Sequence, residues 1–338
     1  MTSWRPCGET RALETEGQAA RFLLSKGYGY VPSVRCTRRY PSVMKRIGLS
    51  SFKPARLKLF IGLALLFSAR QAGAQVEDKL LQVERTAWPE EAHCLEMFSA
   101  MSEGPDGRVY AGTCNAVKIG AKLIALDPKT RKQEILADMQ EVCGELGAKT
   151  FPQSKIHSQI CFDHDGVAWF GTHSYDWNTL DQFQKSPEDY AGGHLVTYDT
   201  RSHKATDLGI LAPHESIMSL ALAERVGKVY CILHPTGRFV VYDIKTKKTA
   251  DKGAILGYPS RTIATLKDGR GITFTVHGDV VRYSPKDDKL EKLNVTVPLF
   301  GTETDRTHNN PFALALSSDD KRLYGIGWTS GLLFEYLP

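Results

Sequence analysis

The chain has 338 residues, of which 42% are hydrophobic and 24% charged, and its net charge is +5. This composition indicates a globular protein of one or two domains and excludes a disordered chain and a polytopic membrane protein. Residues 1–74 carry 13 Lys/Arg against 3 Asp/Glu, whereas residues 75–338 carry 30 against 35. The basic character belongs to the leader, so we expect no nucleic-acid partner for residues 75–338.

Residues 44–74 contain basic residues, then an apolar run of nine residues at 59–67, then an A-x-A sequence that ends at Ala74. This order is typical of a secretory signal peptide. Nine apolar residues are too few to cross a membrane core of about 30 Å, so we expect no stable membrane span in the mature chain. We predict cleavage near Ala74 and an exported protein, periplasmic or secreted. Residues 1–43 are interpreted as a disordered extension from a misassigned start codon.

Five of the seven cysteines lie after the predicted cleavage site, and their spacing contains no C-x-x-C metal pair. Export permits disulfides, and Cys114 with Cys143 is a candidate pair. The odd count leaves at least one thiol over, and most of these side chains are expected to be small buried hydrophobes.

A repeated pattern dominates residues 75–338. Each copy is a run of β-branched and aromatic residues that follows a turn, and the copies are GRVYAGT (107–113), GVAWFGTH (166–173), GKVYCILH (227–234), GITFTVH (271–277) and KRLYGIGW (321–328). A second run follows each copy, and two of these end in the Tyr-Asp pairs at Asp199 and Asp243, about one blade length apart. Units of about 40–45 residues with four short strands are typical of β-propeller blades. We therefore predict an all-β fold, a β-propeller over residues 75–338 with five recognisable four-stranded blades.

The number of blades has two interpretations. The last unit shows three strands before Pro338, and residues 79–85 could supply the fourth strand and close a five-bladed ring. Alternatively, the chain is a truncated seven-bladed ring.

All ten histidines follow residue 74, and six occupy equivalent positions in the repeat. Three precede an innermost strand and three follow a second strand, and they are His157, His214 and His308, then His173, His234 and His277. In a propeller these positions open on the same face, so we expect the six to surround one mouth of the central channel with Arg261, Arg238 and Trp328. His164, His194 and His203 are expected at the surface.

An insertion at residues 174–193 separates the second and third strands of its blade. Long loops in a regular repeat often carry function. We predict that this segment, with Tyr175, Trp177 and Tyr190, forms an aromatic flap over the mouth.

The sequence contains no G-x-S-x-G, H-E-x-x-H, P-loop or G-x-G-x-x-G motif. The expected mouth holds few acids, which disfavours glycoside hydrolysis by paired carboxyls. His, Tyr and Arg together suit β-elimination on a uronic acid, in which a cation neutralises the sugar carboxylate while a base removes the C5 proton. The predicted catalytic residues are His157 and His173 as base and acid, with Tyr175 or Tyr190 as the alternative acid.

Arg261 and Arg238 are predicted to bind the carboxylate in bidentate fashion. The remaining predicted substrate-binding residues are His214, His234, His277, Trp328, Trp177 and Asn309.

The sequences KIH (155–157), GTH (171–173) and GGH (192–194), with the repeated Tyr-Asp strand ends, resemble exported bacterial β-propellers of the polysaccharide lyase type. The ulvan lyases and, more distantly, the oligogalacturonate lyases are the families concerned. The resemblance implies an anionic polysaccharide as partner and an active face of His, Tyr and Arg. We expect no cofactor and no metal; the alternative that the resemblance implies is a divalent metal site of the oligogalacturonate-lyase kind, with His157, Gln159 and His173 as candidates. Those lyases have seven blades, whereas five are recognisable in this sequence.

The resulting hypothesis is an exported propeller that acts on an anionic polysaccharide by β-elimination. A non-catalytic propeller that binds a glycan or a protein is the alternative, since fold alone does not determine chemistry. A third class, lactonases or enzymes of the streptogramin lyase kind, would need a metal at the mouth held by acids or histidines.

Overall fold

The computed structural model describes residues 86–115, 118–177, 179–257, 260–299, 308–328 and 330–338. These belong to one compact unit, Val83–Pro338. The predicted extension, signal peptide and closing strand at 79–85 lie outside the described residues. The strands are β1 Met101–Glu103, β2 Val109–Gly112, β3 Lys122–Leu126, β4 Gln133–Asp138, β5 Lys155–Ile156, β6 Cys161–Phe162, β7 Val167–His173, β8 His194–Asp199, β9 Lys204–Ile210, β10 Ser216–Ala223, β11 Lys228–His234, β12 Phe239–Asp243, β13 Lys248–Asp251, β14 Ile263–Thr265, β15 Gly271–Phe274, β16 Asp279–Ser284, β17 Lys289–Thr296, β18 Pro311–Leu316, β19 Leu323–Gly327 and β20 Leu333–Tyr336.

These strands form five antiparallel meanders, the blades of a β-propeller. Blade one is β1 to β4, blade two β5 to β9, blade three β10 to β13, blade four β14 to β17, and blade five β18 to β20. The inner strand of blade two is in two pieces, since β5 and β6 both pair with β7. Blade five has three strands within the described residues. The predicted five-bladed propeller is thus confirmed.

The Asp residue that recurs at the end of the third strand holds the hairpin that follows it. The carboxylate of Asp243 accepts from the backbone N–H of Thr246 at 2.7 Å, and that of Asp199 accepts from the N–H of Arg201 at 2.8 Å. Asp side chains favour such turns because they bond to nearby backbone donors. The repeat in the sequence is therefore a repeat of turn chemistry.

The core lies between the blades. Within the described part of the chain, four apolar clusters join blade one to two, two to three, three to four, and four to five. Blade five places Leu323 and Phe334 in the fourth cluster. Its opposite face carries Ile326 and Leu333, which are 41% and 71% exposed. The period-2 alternation of strands produces this difference between the two faces.

Among the described residues two short α-helices occur, α1 (Met139–Val142) and α2 (Leu180–Lys185). The side chain of Thr179 begins α2 as part of a capping box with Gln182. Single-turn 3-10 helices lie at Glu90–Ala92, Pro187–Asp189 and Glu224–Val226. No helix among the described residues is long and apolar enough to span a membrane. The five cysteines in this unit are all unbridged, so the candidate Cys114–Cys143 disulfide is not formed.

Candidate functional site

Three histidines form a row that we call the imidazole row, His157, His173 and His234. The ring of His173 lies between the others, with centroids 5.4 Å from His157 and 5.0 Å from His234. All three side chains are buried, with 5%, 1% and 3% of their surface exposed for His157, His173 and His234. His173 is the last residue of β7 and His234 is the last residue of β11. The second strands of blades two and three therefore position these side chains next to each other, as predicted.

His157 occupies the interruption between β5 and β6. The hydroxyl of Ser158 accepts from the N–H of Gly171 at 2.7 Å, which holds the interrupted strand against β7. The hydroxyl of Ser99 donates to the His157 carbonyl at 2.6 Å, and the ring Nδ1 lies 3.0 Å from the Met218 carbonyl of blade three. A carbonyl can only accept, so Nδ1 carries the proton and Nε2 presents a lone pair.

Two cations lie beside the row. Nη2 of Arg261 is 3.4 Å from Nε2 of His157, and the guanidinium carbon lies 4.2 Å from the centre of the Trp328 ring. Nζ of Lys155, which is in β5 just before the strand interruption, lies 4.7 Å from the centre of the Tyr175 ring. Both cations therefore have an aromatic face as a neighbour, an arrangement that favours desolvated positive charge.

Burial and positive charge lower the pKa values of His157 and His173. Burial lowers the pKa of His157 to about 3, and the charge of Arg261 acts in the same direction. Burial also holds the pKa of His173 well below its usual value, with His234 and Lys155 adding to the effect. The pKa of Lys155 is lowered too, chiefly by burial. Near pH 7 His157 and His173 are thus neutral rings that can accept hydrogen bonds.

A cavity of about 430 Å³ lies beside His157, and we call it the mouth cavity. Its walls include Phe98, His157, Gln159, Arg261 and Phe312, which come from before blade one and from blades two, four and five. Residues from three blades and from the segment before blade one thus meet at this cavity. Phe98 stacks on His157 with ring centroids 5.0 Å apart. Of the imidazole row, His157 is the member that lines the cavity.

The structure pairs Arg238, which we predicted to bind a substrate carboxylate, with two carboxylates of its own protein. Its Nε donates to Glu215 at 2.8 Å, and its Nη1 pairs with Asp251. Glu215 is almost fully buried and Thr236 also donates to it. Arg238 therefore neutralises a buried carboxylate of its own protein, and Arg261 is the guanidinium at the cavity.

The insertion at 174–193 does not form an aromatic flap. Trp177 and Tyr190 are buried against each other with ring centroids 5.9 Å apart. The hydroxyl of Tyr190 donates to Gln153 at 2.8 Å, and burial raises its pKa, so it is not available as a catalytic acid. Nδ1 of His214 lies 2.7 Å from the Tyr190 carbonyl, and the His214 carbonyl accepts from Trp177. Trp177 and Tyr190 thus pack inside the insertion, and His214, from the loop before β10, holds them in place.

Other predicted residues lie apart from the row. His277 is on an exposed turn. The side-chain amide of Asn309 donates to the Val297 carbonyl at 2.9 Å, which fixes a loop of blade four. Gln159 lines the cavity, but its amide oxygen accepts from the hydroxyl of Ser219 at 2.8 Å. The predicted metal set of His157, Gln159 and His173 therefore lacks a free amide oxygen.

Lys155, Phe98 and Phe312 belong to the site and were not predicted. Lys155 could have been predicted from the sequence. It lies two residues before His157, and side chains two residues apart in a strand project to the same side. Phe98 and Phe312 gave no signal, since each lies at the edge of a blade where an exposed aromatic residue is common.

No protein-family model and no curated protein matches this chain. Among solved structures, it is similar to the extracellular domain of a protein described as a one-component system from Bacteroides thetaiotaomicron, with TM-score 0.49, 13% identity, and 75% of this chain and 28% of that one covered. It is similar to an auxiliary nutrient binding protein of the same organism, with TM-score 0.43, 13% identity, and 71% and 57% covered. It is also similar to the periplasmic gluconolactonase of Pseudomonas aeruginosa, with TM-score 0.46, 14% identity, and 75% and 73% covered. The chain thus spans less than two thirds of the first two, and the resemblance to polysaccharide lyases is not confirmed.

Proposed function

We propose that the mouth cavity binds a carboxylate-bearing sugar, as a unit of an anionic polysaccharide or oligosaccharide. The observation that carries this proposal is the position of Arg261, whose guanidinium lies at the cavity wall between His157 and the rings of Phe312 and Trp328. A guanidinium in this setting presents a fork of donors that matches a carboxylate.

The electrostatics of the cavity support an anionic ligand. The charges of Arg261 and Lys155 both act on the buried ring of His157 to disfavour its protonated form. The carboxylates of Glu96 and Asp176 act to raise the pKa of Lys155 and so favour its charged form. The pKa of Asp176 is itself raised by burial. A carboxylate in the cavity would offset the positive field that these two cations impose on the imidazole.

The walls of the cavity support a sugar. Phe98 and Phe312 are 44% and 53% exposed, so each offers a ring face to a ligand. A pyranose presents apolar C–H faces to aromatic rings and hydroxyls at its edge, and the neutral Nε2 of His157 can accept from a hydroxyl. A cavity of about 430 Å³ lies in the range of small-molecule sites.

Catalysis by β-elimination is the second candidate. The observation that supports it is the 5.4 Å separation of the His157 and His173 ring centroids, which is shorter than one sugar unit, with His157 at the cavity wall and His173 buried behind it. An imidazole with a pKa near 3 is a weak base at neutral pH. A bound carboxylate would raise that pKa, so the ligand would activate its own base, with Tyr175 beside Lys155 as an alternative acid.

Binding and catalysis are separable in one experiment. The purified chain is titrated calorimetrically with oligomers of galacturonate and glucuronate, and with the neutral galactose and glucose oligomers as matched controls. The same mixtures are followed near ~235 nm, where the unsaturated uronide made by elimination absorbs. Binding of the acidic series without absorbance supports recognition, and absorbance that His157→Ala abolishes supports elimination. Equal or absent binding of both series across uronate types contradicts the proposal.

A further inference from the structure

A second polar cluster joins blade one to blade two, away from the residues of the mouth cavity. Its members are Cys143, at the end of α1, His194, at the start of β8, and Asp207, in β9. One donor atom of each residue lies within 4.8 Å of a donor atom of each of the other two. Among the described residues, this is the group of His, Cys and acidic side chains whose spacing could hold a metal ion. We call it the blade-bridging cluster.

His194 is the centre of this cluster. We expected it at the surface, yet 7% of it is exposed. Its Nδ1 lies 2.9 Å from Oδ1 of Asp207, and its Nε2 lies 3.7 Å from Oε1 of Glu145. The ring is thus held between two carboxylates, with the Cys143 thiol beside them. Burying a charged group is costly unless a partner compensates it, so these buried donors need one another or a bound ligand.

The surroundings fix the two carboxylates. Asp207 also accepts from the N–H of Gly209 at 2.8 Å. Glu145 accepts from the backbone N–H of Gln153 at 3.1 Å and from its side-chain amide at 2.8 Å. Backbone and side-chain donors outside the cluster therefore orient the oxygens.

We propose that Cys143, His194 and Asp207 bind a divalent transition metal ion of the zinc type. Sulfur, imidazole and carboxylate donors together suit zinc, which accepts all three at about 2.0–2.3 Å in tetrahedral geometry. Nδ1 of His194 and the oxygen of Asp207 would bind the ion with the Cys143 sulfur, and water would complete the tetrahedron. Nε2–H would then face Glu145, as the second nitrogen of a metal-bound histidine usually faces a carboxylate.

The role of this site is structural. The thiol comes from the turn after the outer strand of blade one, whereas the imidazole and the carboxylate come from the two outer strands of blade two. The cluster lies at the margin of the apolar cluster between these blades, in which Met139 of α1 is buried and against which Cys143 packs. A bound ion would fasten the two blades at their rim, and it would stabilise the folded chain because the unfolded chain offers no assembled site.

The test uses the untagged chain, kept reduced and freed of metal by dialysis. It is titrated with Co²⁺, whose tetrahedral thiolate complexes have visible bands and a near-ultraviolet charge-transfer band, and then with Zn²⁺ as competitor. We expect one ion per chain with a thiolate band, a higher melting temperature with Zn²⁺, and at least tenfold weaker binding for Cys143→Ser and for Asp207→Asn. Glu145→Gln should weaken binding by about tenfold to hundredfold.

Cys94→Ser is the matched control, because Cys94 is a partly exposed thiol outside the cluster and its loss should leave the band unchanged. The proposal is overturned if the wild type binds no stoichiometric Co²⁺ or Zn²⁺, or if Cys143→Ser retains the thiolate band. Should Cys143→Ser fail to fold, Asp207→Asn decides, since unchanged affinity in that variant contradicts the assignment. Sugar binding at the mouth cavity is not required for any of these results.

Discussion

Nη2 of Arg261 lies 3.4 Å from Nε2 of His157, across 104 residues of sequence. The contact joins the segment before β14 of blade four to the interrupted inner strand of blade two. It makes Arg261 both a wall of the mouth cavity and a source of the field that keeps His157 neutral. A ligand that pairs with this guanidinium would therefore also alter the proton affinity of the imidazole.

Replacing Arg261 by Gln should weaken galacturonate-oligomer binding at least tenfold, since hydrogen bonds to charged groups contribute about 1.5–3 kcal/mol. Arg261→Lys should retain part of the affinity, because it keeps the charge but loses the fork. Calorimetric titration measures both. Arg270→Gln is the control, because Arg270 pairs with Asp268 at a partly exposed turn. Loss of affinity for the neutral oligomers to the same extent would contradict a carboxylate contact.

The stability of the protein should fall in acid because of the imidazole row. In the unfolded chain, His157 takes up a proton as the pH falls through its ordinary pKa near 6.5. In the folded chain, the same ring is protonated only at about pH 3. Between these values the unfolded state holds the extra proton, so the free energy of unfolding falls by about 1.4 kcal/mol per pH unit for each such group. Urea unfolding from pH 7 to pH 4 measures this slope.

His157→Gln should reduce that acid slope, whereas His164→Gln should not. His164 is exposed and its pKa is raised by Glu224, so its protonation favours the folded state in acid and has the opposite sign. An unchanged slope in His157→Gln would mean that the buried imidazole is protonated in the folded protein.

Arg238→Gln should destabilise the protein without weakening sugar binding. The change leaves the carboxylate of Glu215 buried without its guanidinium partner, and removing one partner of such a pair is costly. Since Arg238 is itself partly exposed, we expect a loss of about 2–3 kcal/mol, below the value for a fully buried pair. Thermal unfolding and titration of the folded variant measure the two quantities. Weaker binding in a folded Arg238→Gln variant would restore the predicted role of this residue as a carboxylate ligand.

The blades could be predicted because their signals are local. Strand alternation and the Asp-based hairpins, such as those of Asp199 and Asp243, depend on neighbouring residues. The same logic placed His173 and His234 together, because equivalent positions in adjacent blades project to one face. A repeat thus converts sequence position into spatial position.

The errors arose where a side chain's partner is distant or lies outside the repeat. Arg238 is committed to Glu215, which no spacing rule connects to it. Trp177 and Tyr190 pack on each other inside an insertion whose folding the repeat does not describe. His194 was predicted at the surface, but Asp207 of the neighbouring strand β9 and Glu145 of the loop after α1 lie at its two ring nitrogens.

The two faces of blade five should respond differently to the same substitution. Leu323 is fully buried in the fourth apolar cluster, whereas Leu333 is 71% exposed on the opposite face. Leu323→Ala should cost about 2–5 kcal/mol of unfolding free energy, because it removes buried methyl groups and leaves a cavity. Leu333→Ala should cost about 0.5 kcal/mol or less, as is usual for an exposed site. Urea unfolding of both variants at two protein concentrations measures the difference, and equal losses would show that the Leu333 face is covered in solution.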